Sequence, residues 1–324
     1  MGLQESFSEY YGSVEPNHRT NNETISGSGN YYIHHAIFSF HYQKAAIYLS
    51  SPSKVLLETC TFYNNSSTQN GGSFYFYQSE CVIVRTYLFH SSTSYYGGAY
   101  AIETDIFLKQ KNYAFECSVS ECSGSQDSIF HYSGDIQVSN MNTSYHNITF
   151  YAAYKLDHPN GRGVMNLTTV SNTSSKSEAG IYNCDGFFNI TNCNYISNEY
   201  TGKNWGIVRC DGTISCLNCS FIGNKGNYLF DCKPTINNCY FNENAVTKTV
   251  NKDYSGTFGS IEPFDSLINH YSTFFCPAKN LKDNQKVSSK NYHEGELALG
   301  DINIIVSIVY KISFVVALNI PTLK

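Results

Sequence analysis

The sequence predicts an all-β chain wound as a parallel β-helix of about eight or nine coils of ~26 residues. Three observations predict it. A Cys-x-aromatic-x-x-Asn mark returns along the chain. A second mark, two small residues followed shortly by an aromatic, returns at the same period. The composition also favours strands, with 27 Tyr and 21 Phe against 3 Met and 1 Trp, Asn and Ser abundant, and only 15% of residues charged. Apolar and aromatic residues recur over most of the 324 positions, which excludes a disordered chain. The net charge is −5 and the only arginines are Arg19, Arg85, Arg162 and Arg209, so no basic patch for nucleic acid can be assembled.

The period is clearest near the middle of the chain. Residues 184–198 align with 210–224, 26 residues on, and with 232–244. Their anchors are Cys193, Tyr195 and Asn198; Cys219, Phe221 and Asn224; and Cys239, Phe241 and Asn244. Cys60, Phe62 and Asn65 repeat the unit earlier, and 87–92, with Phe89 as anchor, is a degenerate copy. Ala45-Ala46-Ile47-Tyr48, Gly71-Gly72-Ser73-Phe74 and Gly97-Gly98-Ala99-Tyr100 keep time with it. Between Ala101 and Glu178 the pattern blurs, and Ile136, Val138, Met165 and Leu167 fill the expected apolar slots. A leucine-rich repeat would need a leucine ladder, which is missing; short alternating runs split by Gly, Asn and Ser fit three strands and three turns per coil. The predicted core columns are Phe62, Phe89, Tyr195, Phe221 and Phe241; Leu57, Val84, Ile190, Cys216 and Ile236; and Val55, Val82, Phe188, Ile214 and Pro234. The solenoid is expected over 30–254, with an N-terminal cap or irregular segment at 1–29, a C-terminal cap and linker at 255–301, and a hydrophobic segment at 302–320.

That last segment is long enough to span a bilayer, but Lys311 stands at its centre and its apolar residues alternate, so span and strand are both open readings. Nine Asn-x-Ser/Thr sequons (Asn22, Asn64, Asn65, Asn142, Asn147, Asn166, Asn172, Asn189 and Asn218) are candidate N-glycosylation acceptors and point to a secretory route. The first residues lack the apolar run of a signal peptide, while Met1-Gly2 and Ser6 match a myristoylation pattern; a missing upstream exon or an internal fragment is the preferred explanation.

Side chains that carry chemistry have structural readings here. Cys216-x-x-Cys219 has zinc spacing, yet Cys216 falls in a slot that Ile190 and Ile236 fill in other coils. The columns Cys193, Cys219, Cys239 and Cys184, Cys210, Cys232 are expected to be thiol ladders, because stacked strands hold Cβ atoms farther apart than a relaxed disulfide wants, with an occasional disulfide or a metal as the alternatives. Asn65, Asn198, Asn224 and Asn244 should form an amide ladder at a turn. Asp185 and Asp211 would stack, but each precedes Gly and reads as a turn residue. His34-His35 reads as a strand with one ring in and one out. No catalytic, cofactor or metal residue is assigned. Outer faces rich in Tyr, Ser, Thr and Asn suit a glycan or a protein partner, or equally a simply solvated sheet.

Gly71-Gly72, Gly97-Gly98, Phe62/Asn65, Phe221/Asn224 and Phe241/Asn244, phased over roughly 30–254, resemble the surface-protein families of trichomonad protozoa. Those families are themselves similar to chlamydial polymorphic outer-membrane proteins. The resemblance implies a right-handed, pectin-lyase-like β-helix, a cell-surface or secreted location and adhesion to host protein or glycan. The expected function is therefore non-enzymatic recognition, with membrane contact through 302–320. The alternatives are a polysaccharide-active enzyme, although the lyase and hydrolase motifs of the superfamily are absent, and a truncated, non-functional family member.

Overall fold

The computed structural model describes residues 6–177, 181–184 and 186–250. They form a parallel β-solenoid of about eight turns, with four strand columns per coil gathered into three sheets rather than the three strands per coil expected. The first sheet stacks ten strands: Asn17–Arg19, Asn30–His34, Lys54–Glu58, Glu80–Val84, Lys111–Phe115, Asp135–Ser139, Arg162–Asn166, Phe187–Thr191, Thr213–Leu217 and Thr235–Asn237. The second stacks nine three-residue strands from Ile37–Ser39 to Tyr240–Asn242. The third sheet has two columns. One runs from Ile25–Gly27 through Ile47–Leu49, Phe74–Tyr77, Tyr100–Glu103, Ile129–Tyr132, Tyr154–Asp157, Ile181–Cys184 and Gly206–Cys210. The other is a row of two-residue strands from Ser66–Ser67 to Glu199–Tyr200, and both columns meet at Lys225–Phe230. Every pairing is parallel, and the coil length varies: Lys54 pairs with Glu80 but Cys81 with Asn112, the longer coil carrying a turn that exposes Ile106, Phe107 and Leu108.

Alternation along each strand sends one set of side chains inward. On the second sheet the inner column is Phe38, Phe62, Leu88, Val119, Thr143, Val170, Tyr195, Phe221 and Phe241. Its rings stack at the coil spacing: Phe38–Phe62 4.9 Å, Tyr195–Phe221 4.8 Å at 3° and Phe221–Phe241 5.1 Å between centroids. Each coil buries apolar surface against its neighbours, so stability accrues coil by coil.

Two corners of nearly every coil hold one residue in the left-handed region. The first corner is His35, Thr59, Arg85, Glu116, Asn140, Leu167, Asn192, Asn218 and Asn238 (φ 47–54°). The second is Phe40, Asn64, His90, Glu121, Tyr145, Asn172, Ser197, Gly223 and Glu243 (φ 52–62°). Asn64, Asn140, Asn172, Asn192, Asn218 and Asn238 suit these corners, since Asn tolerates that conformation better than most residues, whereas the repeat's Asn65, Asn198, Asn224 and Asn244 stand one residue after the second corner. Just after the first corner the Cys column does a specific task. The thiols of Cys60, Cys117, Cys193, Cys219 and Cys239 each donate to the carbonyl two residues back, at 3.0–3.4 Å. Where Cys is missing, Thr86 and Thr168 make the same bond through their hydroxyls. The Gly-Gly mark has a steric cause: a Cβ on Gly72 would meet the Gly98 carbonyl, and one on Gly98 the Ser123 carbonyl.

The structure corrects four positional expectations. Leu88, not Phe89, pairs with Phe62, and Phe89 stacks on Tyr63 instead. Accordingly Cys81 and Ile83, rather than Val82 and Val84, continue the columns of Val55 and Leu57. Counting from the wrong aromatic shifts the register by one residue and inverts the faces. Leu167 is a 36% exposed corner residue, and Met165 with Gly163 faces inward. Ile47, not Tyr48, pairs with Phe74. Finally, Cys210 lies opposite Asn183, not Cys184, so the column Cys184, Cys210, Cys232 is not continuous.

Val82 and Val84 are buried all the same, by the chain's only described helix. Phe7–Tyr11 starts at a capping box of Ser6 and Glu9 and lies along the first sheet. Phe7 and Tyr11 pack on Tyr32, Leu56, Val82 and Val84, and the Tyr11 hydroxyl donates to the Val55 carbonyl at 2.8 Å. The sheets already begin at Asn17 and Ile25, upstream of the expected start at Asn30. Among the described residues no helix is long and apolar enough to cross a membrane. Segments 255–301 and 302–320, with Asp185 and Met1-Gly2, lie outside the described residues.

Candidate functional site

The outward positions of the third sheet concentrate aromatic rings. One outer row is Tyr48, Tyr75, Ala101, Phe130 and Lys155; the next is Tyr77, Glu103, Tyr132 and Asp157. They follow from alternation: in Phe74-Tyr75-Phe76-Tyr77 the phenylalanines face the core and the tyrosines face out. The turns before these strands add Tyr96 and Tyr151, whose rings stack at 6.3 Å and 13°. Tyr48–Tyr75 (5.3 Å) forms one group of rings, Tyr96–Phe130 (5.4 Å) and Phe130–Tyr132 (5.9 Å) extend another, and Ala101 packs between the two. Tyr75 and Phe130 form the buried floor, while Tyr77 is 39% and Tyr95 51% exposed.

Lys155 closes one end. Its ammonium lies 4.7 Å from the Phe130 centroid, 4.9 Å from Tyr151 and 5.6 Å from Tyr96, a three-ring cage. Asp157 reaches it at 3.5 Å and also holds His158 Nδ1 at 2.5 Å. Burial pushes the Tyr75 phenol up, and the Glu103 charge adds to this. Burial also raises the Glu103 carboxyl, with the Tyr75 hydroxyl and Lys155 opposing. For Tyr96, burial and then Tyr151 raise the phenol, while Lys155 lowers it. The strip therefore offers flat apolar faces bordered by phenol hydroxyls, two carboxylates and one ammonium, which suits a ligand with alternating C–H faces and hydroxyls.

The residues singled out from the sequence lie elsewhere. Asn65, Asn198, Asn224 and Asn244 occupy one inner turn column. Their amide nitrogens donate to the carbonyls of Phe38, Val170, Tyr195 and Phe221 at 2.7–3.1 Å. Oδ1 of Asn224 and Asn244 accepts from the backbone of Asn198 and Asn224, each at 3.0 Å. Asn65 is 1% exposed, so in the folded chain it is a turn residue and not an acceptor for glycan. Asn22, Asn147 and Asn172 are exposed; Asn64, Asn142, Asn166, Asn189 and Asn218 are half-buried. Cys193, Cys216, Cys219 and Cys239 are buried free thiols, and burial pushes Cys60 and Cys117 up to about 12. Cys210 and Cys232, expected as part of a thiol ladder, are joined as a disulfide with Cα atoms 5.7 Å apart, wide enough for the bridge. His34 and His35 bring their Nδ1 atoms to 3.2 Å at the first corner.

Sequence reasoning noticed polar-aromatic outer faces without locating the strip. The usable signal was the Tyr-x-Tyr alternation at 75 and 77, echoed by Phe130 and Tyr132. Comparison of the chain with models of protein families, with curated proteins and with solved structures found no match.

Proposed function

We propose that this chain is a non-enzymatic recognition protein of the cell surface or secreted space, and that it takes a glycan along the outer strip of the third sheet. Two groups of rings, Tyr48 with Tyr75 and Phe130 with Tyr96 and Tyr151, joined across Ala101 and bordered by hydroxyls and charges, carry the reading. Pyranose C–H faces stack on such rings, and coils spaced ~4.8 Å apart set aromatic seats at Tyr48 and Tyr75 and at Phe130 along one chain-like ligand. The resemblance to trichomonad surface proteins supports the same role, as do the exposed sequons Asn22, Asn147 and Asn172.

The test is a glycan array followed by calorimetry on the best binder, with Tyr77→Ser and Tyr132→Ser combined. Binding should fall at least tenfold while the far-ultraviolet spectrum stays unchanged. No glycan bound by the parent chain, undiminished binding by the double variant, or turnover of the bound polysaccharide would each overturn the proposal.

A further inference from the structure

The disulfide between Cys210 and Cys232 has an unusual neighbour. Asp231 precedes Cys232 and is 6% exposed. Its Oδ1 accepts from the Cys210 amide at 3.0 Å, while its Oδ2 is buried without a hydrogen-bond partner. A disulfide needs no carboxylate, and a buried carboxylate oxygen left unpaired is costly. One ligand atom from each of Cys210, Asp231 and Cys232 lies within 4.8 Å of the others. Two sulfurs and one oxygen at a coil turn make the donor set of a borderline-soft divalent cation.

We propose that Cys210, Asp231 and Cys232 form a redox-gated site for such a cation, Zn²⁺ being the metal this set suits. In the oxidised chain the sulfurs are tied to each other and the site is closed. A phosphine and one water supply two electrons and two protons: the S–S bond breaks, two thiols form and the phosphine leaves as its oxide. The cation then binds both sulfurs and Asp231 Oδ2, releases the two thiol protons to solvent, and keeps a fourth position for water. Two thiolates, a carboxylate and Zn²⁺ sum to one negative charge. Arg209 lies close enough to act on Asp231 and can balance that charge from its seat over Trp205, 3.8 Å from the ring centroid. The other eight cysteines with described side chains are buried free thiols of the core, so among these residues reduction opens this pair alone.

The experiment uses the full chain, oxidised or treated with a phosphine under anaerobic conditions, titrated with Co²⁺ as the spectroscopic probe. The reduced protein should show a thiolate-to-cobalt band that saturates at one equivalent, with two protons released, and Zn²⁺ should displace the cobalt. The oxidised protein should show no band. Asp231→Asn, which keeps shape and disulfide, should weaken Co²⁺ binding at least tenfold, and the exposed Asp211→Asn should leave it unchanged. Absence of the band after reduction, a band of equal strength in the oxidised chain, or undiminished affinity in Asp231→Asn would overturn the proposal.

Discussion

Acidification from about pH 8 to about pH 5 should loosen the middle of the solenoid through two buried histidines. His131 faces the core between Tyr100 and Tyr154; its Nε2 lies 2.9 Å from the Tyr100 hydroxyl and its Nδ1 2.7 Å from Asn112 Oδ1. His146 fills the turn column that holds Asn in other coils, with Thr143 Oγ1 at 2.6 Å and Ser128 Oγ at 3.0 Å. Burial pushes His131 down to about 3; burial, opposed by backbone hydrogen bonds, pushes His146 down to about 4. Unfolded imidazoles protonate near 6.5, so between the folded values and 6.5 the unfolded chain binds more protons. The stability they contribute is whole above 6.5 and is lost as the pH falls below it. At about pH 5 each histidine lies ~1.5 pH units below its unfolded value, which costs about 2 kcal/mol apiece and about 4 together. Asp231, raised to about 6 chiefly by burial, takes up a proton when folded and offsets roughly 1.4 kcal/mol, leaving a net loss of about 2.5 kcal/mol. Urea unfolding followed by circular dichroism across this range measures the net value. Hydrogen exchange, corrected for intrinsic pH dependence, should speed up about 30-fold per 2 kcal/mol around Ile129–Tyr132 and Asn142–Ser144. The double variant His131→Asn, His146→Asn should lose the downward slope, whatever its absolute stability. If it keeps the parent slope, the reasoning is wrong.

Two further outcomes follow from the corners and the amide column. Leu167 and Tyr145 hold φ of 47° and 58° while exposed to solvent, so Leu167→Asn and Tyr145→Asn should each stabilise by about 0.5–1 kcal/mol, read as a rise in Tm; a fall would count against the corner-strain argument. Asn224→Leu leaves the Tyr195 carbonyl and the Asn198 amide without their buried partners and should destabilise by about 3 kcal/mol in denaturant titration, whereas a cost under about 1 kcal/mol would show that the ladder is dispensable.

The anchors Phe62, Tyr195, Phe221 and Phe241 and the turn residues Asn65, Asn198, Asn224 and Asn244 could be read from a single chain because each repeats its neighbour, and a repeated slot in a solenoid meets a repeated environment. The blurred copies could not be phased in the same way. At 87–92 two adjacent aromatics competed for one slot, and at 165–167 no Cys or Phe marked the count. The candidate recognition strip was hidden for another reason. Tyr48, Tyr75, Phe130 and Lys155 are far apart in the chain, and only the strand register brings them into one row.

By itself, then, the sequence determined the winding of this chain: the period, the strand-forming residues, and the turn column of Asn65, Asn198, Asn224 and Asn244. Only the tertiary structure decided which side of each strand faces in, because side chains alternate every residue and a slip of one inverts them all. It also decided that Phe7 and Tyr11 cover Val82 and Val84, and that Asp231 stands against Cys210 and Cys232. Phe7 and Tyr11 lie outside the repeat, and Asn183 and Arg209 stand where the aligned copies would carry Asp231, so no periodicity could announce those contacts.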